Sequence, residues 1–297
     1  MVTHSKRVLI TGIEGFTGTH LKNHLENSGF EVYGLSLEEL KSKRIYQCDI
    51  RNKEQLKEIL SEVKPDYIIH LGAISFVGAE NRELFYSVNT VGSENLLQAV
   101  AEVTLYPQKI ILASSATVYG NQNSELLDES MAPKPINHYG ISKFGMEQIA
   151  SNYFDKFPII VTRPFNYTGV GQSRNFLIPK IVSHYREKSP VIELGNLDVS
   201  REFNDIRFVV EVYERLLKSS ATGEVVNIAS NRPLKLLDVI EIMNKLAGYE
   251  IEVRVNPAFV RKNEIKSLSG SVKKLQSLIK MPKLYTLEET LRSMFEA

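Results

Sequence analysis

Short apolar runs alternate with amphipathic helical stretches through the first 165 residues, and this rhythm limits what the chain can fold into more than any other feature. Residues 8–11 read as a buried strand. A glycine-rich turn follows, and then Leu21 and Leu25 fall on one helical face. Residues 31–35, 45–48, 67–71, 109–113 and 159–162 read as further strands, the last ended by Arg163-Pro164. Between them Leu56, Ile59, Leu60 and Val63 keep the helical spacing i, i+3, i+4, i+7 up to Pro65, and Leu96, Leu97, Val100 and Val103 form a second stripe. Strands alternating with helices predict an α/β fold, a doubly wound parallel sheet covered on both faces. Ligands of such sheets bind outside the carboxyl ends of the strands. Those ends carry Gly12, Ser36, Gly72, Ser114-Ser115 and Arg163.

The turn Gly12-Ile13-Glu14-Gly15-Phe16-Thr17-Gly18 follows the first strand and opens a helix. Glycines there let backbone approach a pyrophosphate, and the helix start offers free N–H groups and the positive end of its dipole. No Gly-Lys-Ser/Thr triplet follows, which argues against a P-loop, so the turn predicts a dinucleotide cofactor. Where NAD is preferred, an acid at the tip of the second strand binds the ribose 2′-hydroxyl. Here that strand runs Val32-Tyr33-Gly34-Leu35-Ser36 with no acid at its tip. Lys41, Lys43 and Arg44 come soon after and suit a 2′-phosphate, while Glu38 and Glu39 oppose one. The balance tilts to NADP(H) and leaves NAD(H) open. Asp49-Ile50 is placed to contact adenine, or Asp49 caps the helix before Leu56.

Tyr139 and Lys143 stand four apart on a predicted helix and share a face. A tyrosine with a pKa near 10 moves protons poorly at neutral pH unless a cation stabilises its anion. Lys143 can do so while also holding a cofactor ribose. Ser114-Ser115-Ala116-Thr117-Val118-Tyr119-Gly120 follows a strand, where a hydroxyl can reach a substrate carbonyl. Each feature alone has a plain explanation, a surface pair or a serine-rich turn. With the glycine turn they read together as a hydride- and proton-transfer site.

The set Gly12-x-x-Gly15-x-x-Gly18, Leu71-Gly72-Ala73, Asn89, Ser115-Ala116-Thr117-Val118-Tyr119-Gly120 and Tyr139-x-x-x-Lys143 resembles the extended short-chain dehydrogenase/reductase family over nearly the whole chain. That family acts on nucleotide-diphosphate sugars. The resemblance implies a Rossmann-type fold in which Ser115 polarises the sugar carbonyl, Tyr139 transfers the proton and Lys143 orients cofactor and tyrosine. It further implies cofactor contacts from Gly12, Gly15, Phe16, Thr17, Gly18, Ser36, Asp49, Ile50, Leu71, Gly72, Ala73, Asn89 and Pro164, and a substrate contact from Ser75.

Three activities compete within the family. The 4,6-dehydratases carry an acidic pair just after the active-site Ser/Thr, and Ala116 and Thr117 cannot replace it. Ser-Ala-Thr-Val-Tyr-Gly is equally typical of UDP-sugar 4-epimerases. The segment Arg163-Pro164-Phe165-Asn166-Tyr167-Thr168-Gly169-Val170-Gly171-Gln172 is similar to "RPFNHxGxGQ" of GDP-4-keto-6-deoxy-D-mannose reductases. The later segments Gly195-Asn196-Leu197-Asp198-Val199-Ser200-Arg201-Glu202-Phe203-Asn204-Asp205 and Arg261-Lys262-Asn263-Glu264-Ile265 are similar to their "GNLxxxRDFxD" and "RxxEV". GDP-mannose dehydratases share these stretches, so the GDP-sugar branch is implied more than one reaction. Glu202 for Asp, Arg207-Phe208 for "RD" and Lys262 for proline depart from the pattern and leave other bases open. Asn166, Lys180, Arg201 and Arg261, with Glu264, are the expected diphosphate- and substrate-binding groups.

The expected activity is NAD(P)H-dependent reduction of a nucleotide-diphosphate 4-keto-6-deoxyhexose. The alternatives are a 4-epimerase with retained NAD and a non-catalytic nucleotide sensor. Residues 1–165 are expected to bind the dinucleotide, with part of 205–235 returning to them. Residues 166–297 are expected mainly to bind the nucleotide sugar, with 166–201 and 256–269 irregular. In that half 225–229 reads as a strand and 236–247 as a helix ended by Gly248. Helices near 93–103 and 139–153 are implied to pair a homodimer. The chain is 297 residues long with a net charge of +1, which recruits neither nucleic acid nor anionic membrane. Its lone cysteine, Cys48, excludes an internal disulfide and fits a reducing cytoplasm. The six histidines show no metal-ligand spacing.

Overall fold

The computed structural model describes residues 5–75, 81–122, 124–260 and 267–297. Strand β1 (Arg7–Thr11) has Val8, Leu9 and Ile10 fully buried, as a strand covered on both faces must. It is followed by α1 (Phe16–Asn27), β2 (Glu31–Ser36), β3 (Ile45–Gln47), α2 (Lys53–Val63) and β4 (Tyr67–His70). Next come α3 (Glu83–Tyr86), a π-helical turn over Ser87–Gly92, α4 (Ser93–Glu102), β5 (Lys109–Ala113), β6 (Leu126–Leu127), α5 (His138–Ser151) and β7 (Ile159–Pro164). Beyond them lie β8 (Tyr167–Thr168), α6 (Leu177–Arg186), β9 (Val191–Leu194), β10 (Ser200–Arg201), β11 (Asn204–Asp205), α7 (Ile206–Lys218) and β12 (Glu224–Ile228). The chain ends with β13 (Leu234–Lys235), α8 (Leu236–Ala247), β14 (Glu252–Val255), β15 (Ser267–Gly270), α9 (Lys273–Leu278) and α10 (Leu287–Glu296).

Among the described residues, seven strands form one parallel sheet in the order β12-β7-β5-β4-β1-β2-β3. One face is packed by α1 and α7 through Leu21, Leu25, Val209, Val212 and Tyr213. The other is packed by α2, α4 and α5 through Leu56, Leu60, Leu96, Val100 and Met146. Strand order reverses between β1 and β4, so the helices that follow these two strands lie on opposite faces. The carboxyl ends of β1 and β4 therefore open the crevice in which such sheets bind ligands.

A second core joins α6, α8 and α10 to the β9–β14 pair through Ile181, Tyr185, Val239, Met243 and Leu291. Residues 166–201, expected to be irregular, thus contain α6 and β9. The apolar positions Ile178, Ile181, Val182 and Tyr185 carry the 3.6-residue spacing that builds α6. Residues 267–269 of the other supposedly irregular segment lie in β15. Strand β7 runs on through Arg163-Pro164, because Pro164 takes the last register position opposite Ile228 and need not donate there. Helix α8 ends as expected, with Gly248 at φ 76° capping Asn244. No helix among the described residues is long and apolar enough to cross a membrane.

Candidate active site

The glycine turn is docked on the tip of β2, where Gly12 N and Ile13 N both donate to Leu35 O at 2.9 and 3.2 Å. Gly12 has φ 67°, and a Cβ there would lie 2.9 Å from Gly72 Cα. At Gly18 a Cβ would run into the Gly12 carbonyl and Ile13. These glycines bring the ends of β1 and β4 and the start of α1 together as a backbone cradle, which fits a bound pyrophosphate. Phe16 and Thr17 open α1 and are tied to the carboxyl half: Phe16 stacks on Tyr167, and Thr17 Oγ1 lies 2.8 Å from the Tyr167 hydroxyl.

Beneath the cradle runs a chain of buried hydrogen bonds. Gly72 N donates to Thr11 Oγ1 at 2.9 Å, and Thr11 Oγ1 contacts His70 Nδ1 at 2.7 Å. His70 Nε2 meets Ser93 Oγ at 2.8 Å, and Ser93 Oγ donates to Asn89 O. Because each hydroxyl has one proton, His70 carries its proton on Nε2 and accepts at Nδ1. Burial, aided by the Lys143 charge, pulls the His70 pKa down to about 3, so the ring is neutral. Asn89 then binds Ile74 at both N–H (2.8 Å) and C=O (3.0 Å) and donates to Ser142 Oγ, which donates to Tyr139 O. The cofactor-side loop after β4 and the helix bearing Tyr139 are thereby one connected network.

Asn137 caps α5 by accepting from Gly140 N at 2.8 Å. A Cβ at Gly140 would lie 2.9 Å from Thr117 O, so this glycine lets the helix start press against the turn after β5. Tyr139 stands at this helix start and Ser115 just before that turn, near enough for the Ser115 hydroxyl to favour the phenolate. Ser115 itself accepts from Thr117 N and Thr117 Oγ1 at 3.2 and 3.0 Å. One turn along α5, Lys143 is 2% exposed and donates to Ala113 O at 2.6 Å. Burial pulls its ammonium down to about 8, opposed by the charge of Glu147. Burial raises the Tyr139 phenol to about 12, with Tyr167 adding and the Ser115 hydrogen bond opposing. Another turn along, Glu147 holds Arg163 in a buried bidentate pair at 3.0 and 2.7 Å.

The predicted residues fall into groups. Ser115, Tyr139 and Lys143 come together at the ends of β5 and α5. Leu71, Gly72, Ala73 and Asn89 line the loop after β4, and Pro164 ends β7. Ser36 is buried at the β2 tip, and its Oγ accepts from Glu38 N. Ile50 packs against Gly92. Asp49 does not cap α2: it binds Arg51 bidentately, and Asn52 is the cap, accepting from Gln55 N. Arg44, one of the cations pointing to NADP(H), pairs with Glu31 at 3.1 Å, at the opposite end of β2. Ser75 and Asn166 are exposed. Lys180 Nζ is engaged by the Glu193 carbonyl at 2.8 Å and sits over the Phe259 ring. Arg201 Nη1 donates to Ser200 O. Arg261 and Glu264 lie outside the described residues. Glu202, the departure from Asp, is buried and accepts from Gly270 N, Ser230 N and Asn204 Nδ2, joining β10 to the loops around it. Sequence reasoning missed Glu14, His70, Gly140 and the Glu147–Arg163 pair. Of these, Arg163 stood at a strand end and Glu147 four residues beyond Lys143 on one helix face.

The family model described as GDP-mannose 4,6 dehydratase matches residues 9–294. The chain belongs to that family, within the extended short-chain dehydrogenases/reductases. As a family member it is an NAD(P)-dependent nucleotide-sugar oxidoreductase. It is 36% identical to GDP-6-deoxy-D-talose 4-dehydrogenase of Aggregatibacter actinomycetemcomitans, over 92% of this chain and 91% of that one. It is 29% identical to GDP-6-deoxy-D-mannose reductase of Pseudomonas aeruginosa (97% and 96% covered) and 26% identical to UDP-glucose 4-epimerase of Pisum sativum (98% and 95%). The structure of RMD from Pseudomonas aeruginosa complexed with NADPH superposes with a TM-score of 0.88 at 26% identity, covering 98% of both chains.

Proposed function

We propose that the protein reduces the C4 keto group of a nucleotide-diphosphate 4-keto-6-deoxyhexose of the GDP-4-keto-6-deoxymannose type. The observation that carries this reading is the buried Lys143, one helical turn from Tyr139 and pinned to the end of the strand that leads into Ser115. A nicotinamide dinucleotide in the Gly12–Gly18 cradle supplies the hydride to C4. Ser115 donates to the C4 oxygen as negative charge develops on it, and Tyr139 gives that oxygen its proton. The tyrosinate left behind is stabilised by the Lys143 ammonium and regains a proton from water.

The dehydratase reaction of the family's name gains no support from this site. Ala116 has no proton to exchange, and the Thr117 hydroxyl is committed to Ser115. A binding-only protein has no use for a lysine held in the interior beside a tyrosine–serine pair, since burying that charge is costly. GDP as the nucleotide is supported by the likeness to the two GDP-sugar enzymes first described above. A 4-epimerase with retained NAD uses the same three residues, and the likeness to UDP-glucose 4-epimerase supports it as the second reading. The two separate on cofactor use. Reduction consumes NADH or NADPH with GDP-4-keto-6-deoxymannose, seen as loss of cofactor absorbance, whereas epimerisation interconverts sugars with no net loss. Absence of cofactor oxidation with every 4-keto sugar tried sinks the reductase reading.

We also propose a homodimer through α4 and α5, because Val91 just before α4 and Ile141 on α5 are exposed apolar side chains on the two elements.

A further inference from the structure

The 2′ position of the adenosine ribose is where NAD and NADP differ, and in sheets of this kind it lies at the tip of β2. The tip of that strand carries no acid, but the glycine turn does. Glu14 reaches across, and its Oε1 accepts from the backbone N–H of Leu37, the first residue beyond β2, at 3.1 Å. The reach is fixed, because Gly12 N and Ile13 N dock the turn on Leu35 O. An exposed carboxylate therefore stands at the strand tip, supplied from a different segment of the chain.

A dianionic 2′-phosphate needs donors and cations, whereas a 2′-hydroxyl needs an acceptor. The donors at this tip are already engaged: Leu37 N by Glu14 and Glu38 N by Ser36 Oγ. Of the guanidinium groups in the segments that follow, Arg44 is held by Glu31 at the far end of β2 and Arg51 by Asp49. Lys41 and Lys43 are exposed and are the remaining cations of that segment. A carboxylate accepts hydrogen bonds and donates none, so it suits the free hydroxyls and repels the phosphate.

We propose that Glu14 is the acid that binds the adenosine ribose hydroxyls and makes this protein prefer NAD(H) over NADP(H). This rests on the reading that the Gly12–Gly18 cradle binds a nicotinamide dinucleotide.

The test is equilibrium binding without sugar substrate, following NADH and NADPH fluorescence on titration of the wild type, Glu14→Gln and Glu14→Ser. Glu14 is exposed, and a thermal melt verifies that each variant is folded. The wild type is expected to bind NADH at least about tenfold more tightly than NADPH, since the carboxylate repels the like-charged phosphate. Glu14→Gln and Glu14→Ser should narrow or invert that ratio, chiefly by tightening NADPH. Equal or tighter binding of NADPH by the wild type overturns the proposal, and so does a ratio unchanged in both variants. Binding without discrimination overturns this inference alone, whereas failure to bind either dinucleotide overturns the cradle reading with it.

Discussion

Lys143 donates to the carbonyl of Ala113 at 2.6 Å, so the helix that carries Tyr139 is pinned to the end of the strand that leads into Ser115. The same bond keeps a cation in the interior at 2% exposure, one turn from the phenol it can stabilise.

Tyr139→Phe removes the proton donor and leaves the ring packing, including its contact with Phe85, in place. The turnover number should fall roughly 10²- to 10⁴-fold with dinucleotide binding unchanged. Ser115→Ala should lower turnover as well, because one prepared donor to the C4 oxygen is lost. Steady-state kinetics alongside cofactor titration check both, and a Tyr139→Phe enzyme of normal turnover would remove this residue from the chemistry.

Lys143 titrates near pH 8 in the folded chain against 10.5 ordinarily. Dinucleotide binding, which draws on its charged form, should weaken as pH rises through about 8. Between those two values the unfolded chain binds more protons than the folded one, so this group's contribution to stability rises with pH across the window. Lys143→Met should remove both dependences. Binding titrations and urea melts at several pH values measure them, and affinity that stays flat up to pH 10.5 contradicts the assignment.

His70, depressed to about 3 from 6.5, acts in the same direction over a more acidic window. Its stabilising contribution is complete above pH 6.5 and is lost as pH falls toward 3, because the unfolded chain takes up a proton that the folded one refuses. His70→Gln should lose this acid-dependent component and cost about 1–3 kcal/mol at neutral pH, since Thr11 and Ser93 lose a shared partner. Chemical denaturation at pH 7 and pH 5 gives the comparison.

Arg163 and Glu147 form an ion pair with side-chain exposures of 5% and 4%. Removing one partner strands a buried charge, so Arg163→Met should destabilise by about 3–5 kcal/mol. Adding Glu147→Leu should recover part of that loss. A double-mutant cycle by urea melts reads the difference, and simple additivity of the two changes would speak against coupling.

Ile141→Glu places a charge on the exposed apolar side of α5 and is expected to shift a dimer to monomer in light scattering. A wild type that is monomeric at all concentrations removes the dimer proposal.

Most of the central sheet was legible because burial on both faces demands continuous apolar strands, and the runs around Ile10, Ile69 and Ile111 have no other stable place. The cradle was legible for a related reason, since Gly12 and Gly18 stand where no side chain fits. Helix α6 carries its apolar spacing within a segment rich in basic and polar residues, and helix α10 starts at a capping box of Thr286 with Glu289.

By itself, then, the sequence determined the parallel sheet, the glycine turn and the Tyr139–Lys143 spacing, all of which follow from short-range rules of burial, backbone freedom and helix period. Only the tertiary structure decided which groups meet across long stretches of chain. It pressed the start of α5 against the turn after β5 at Gly140 and made His70 a neutral bridge. It also carried the Glu14 carboxylate to the tip of β2, which ends in Ser36 and has no acid of its own there. The reason is physical: hydrogen bonds between distant segments depend on where the backbone places them in space, and no local pattern encodes that distance.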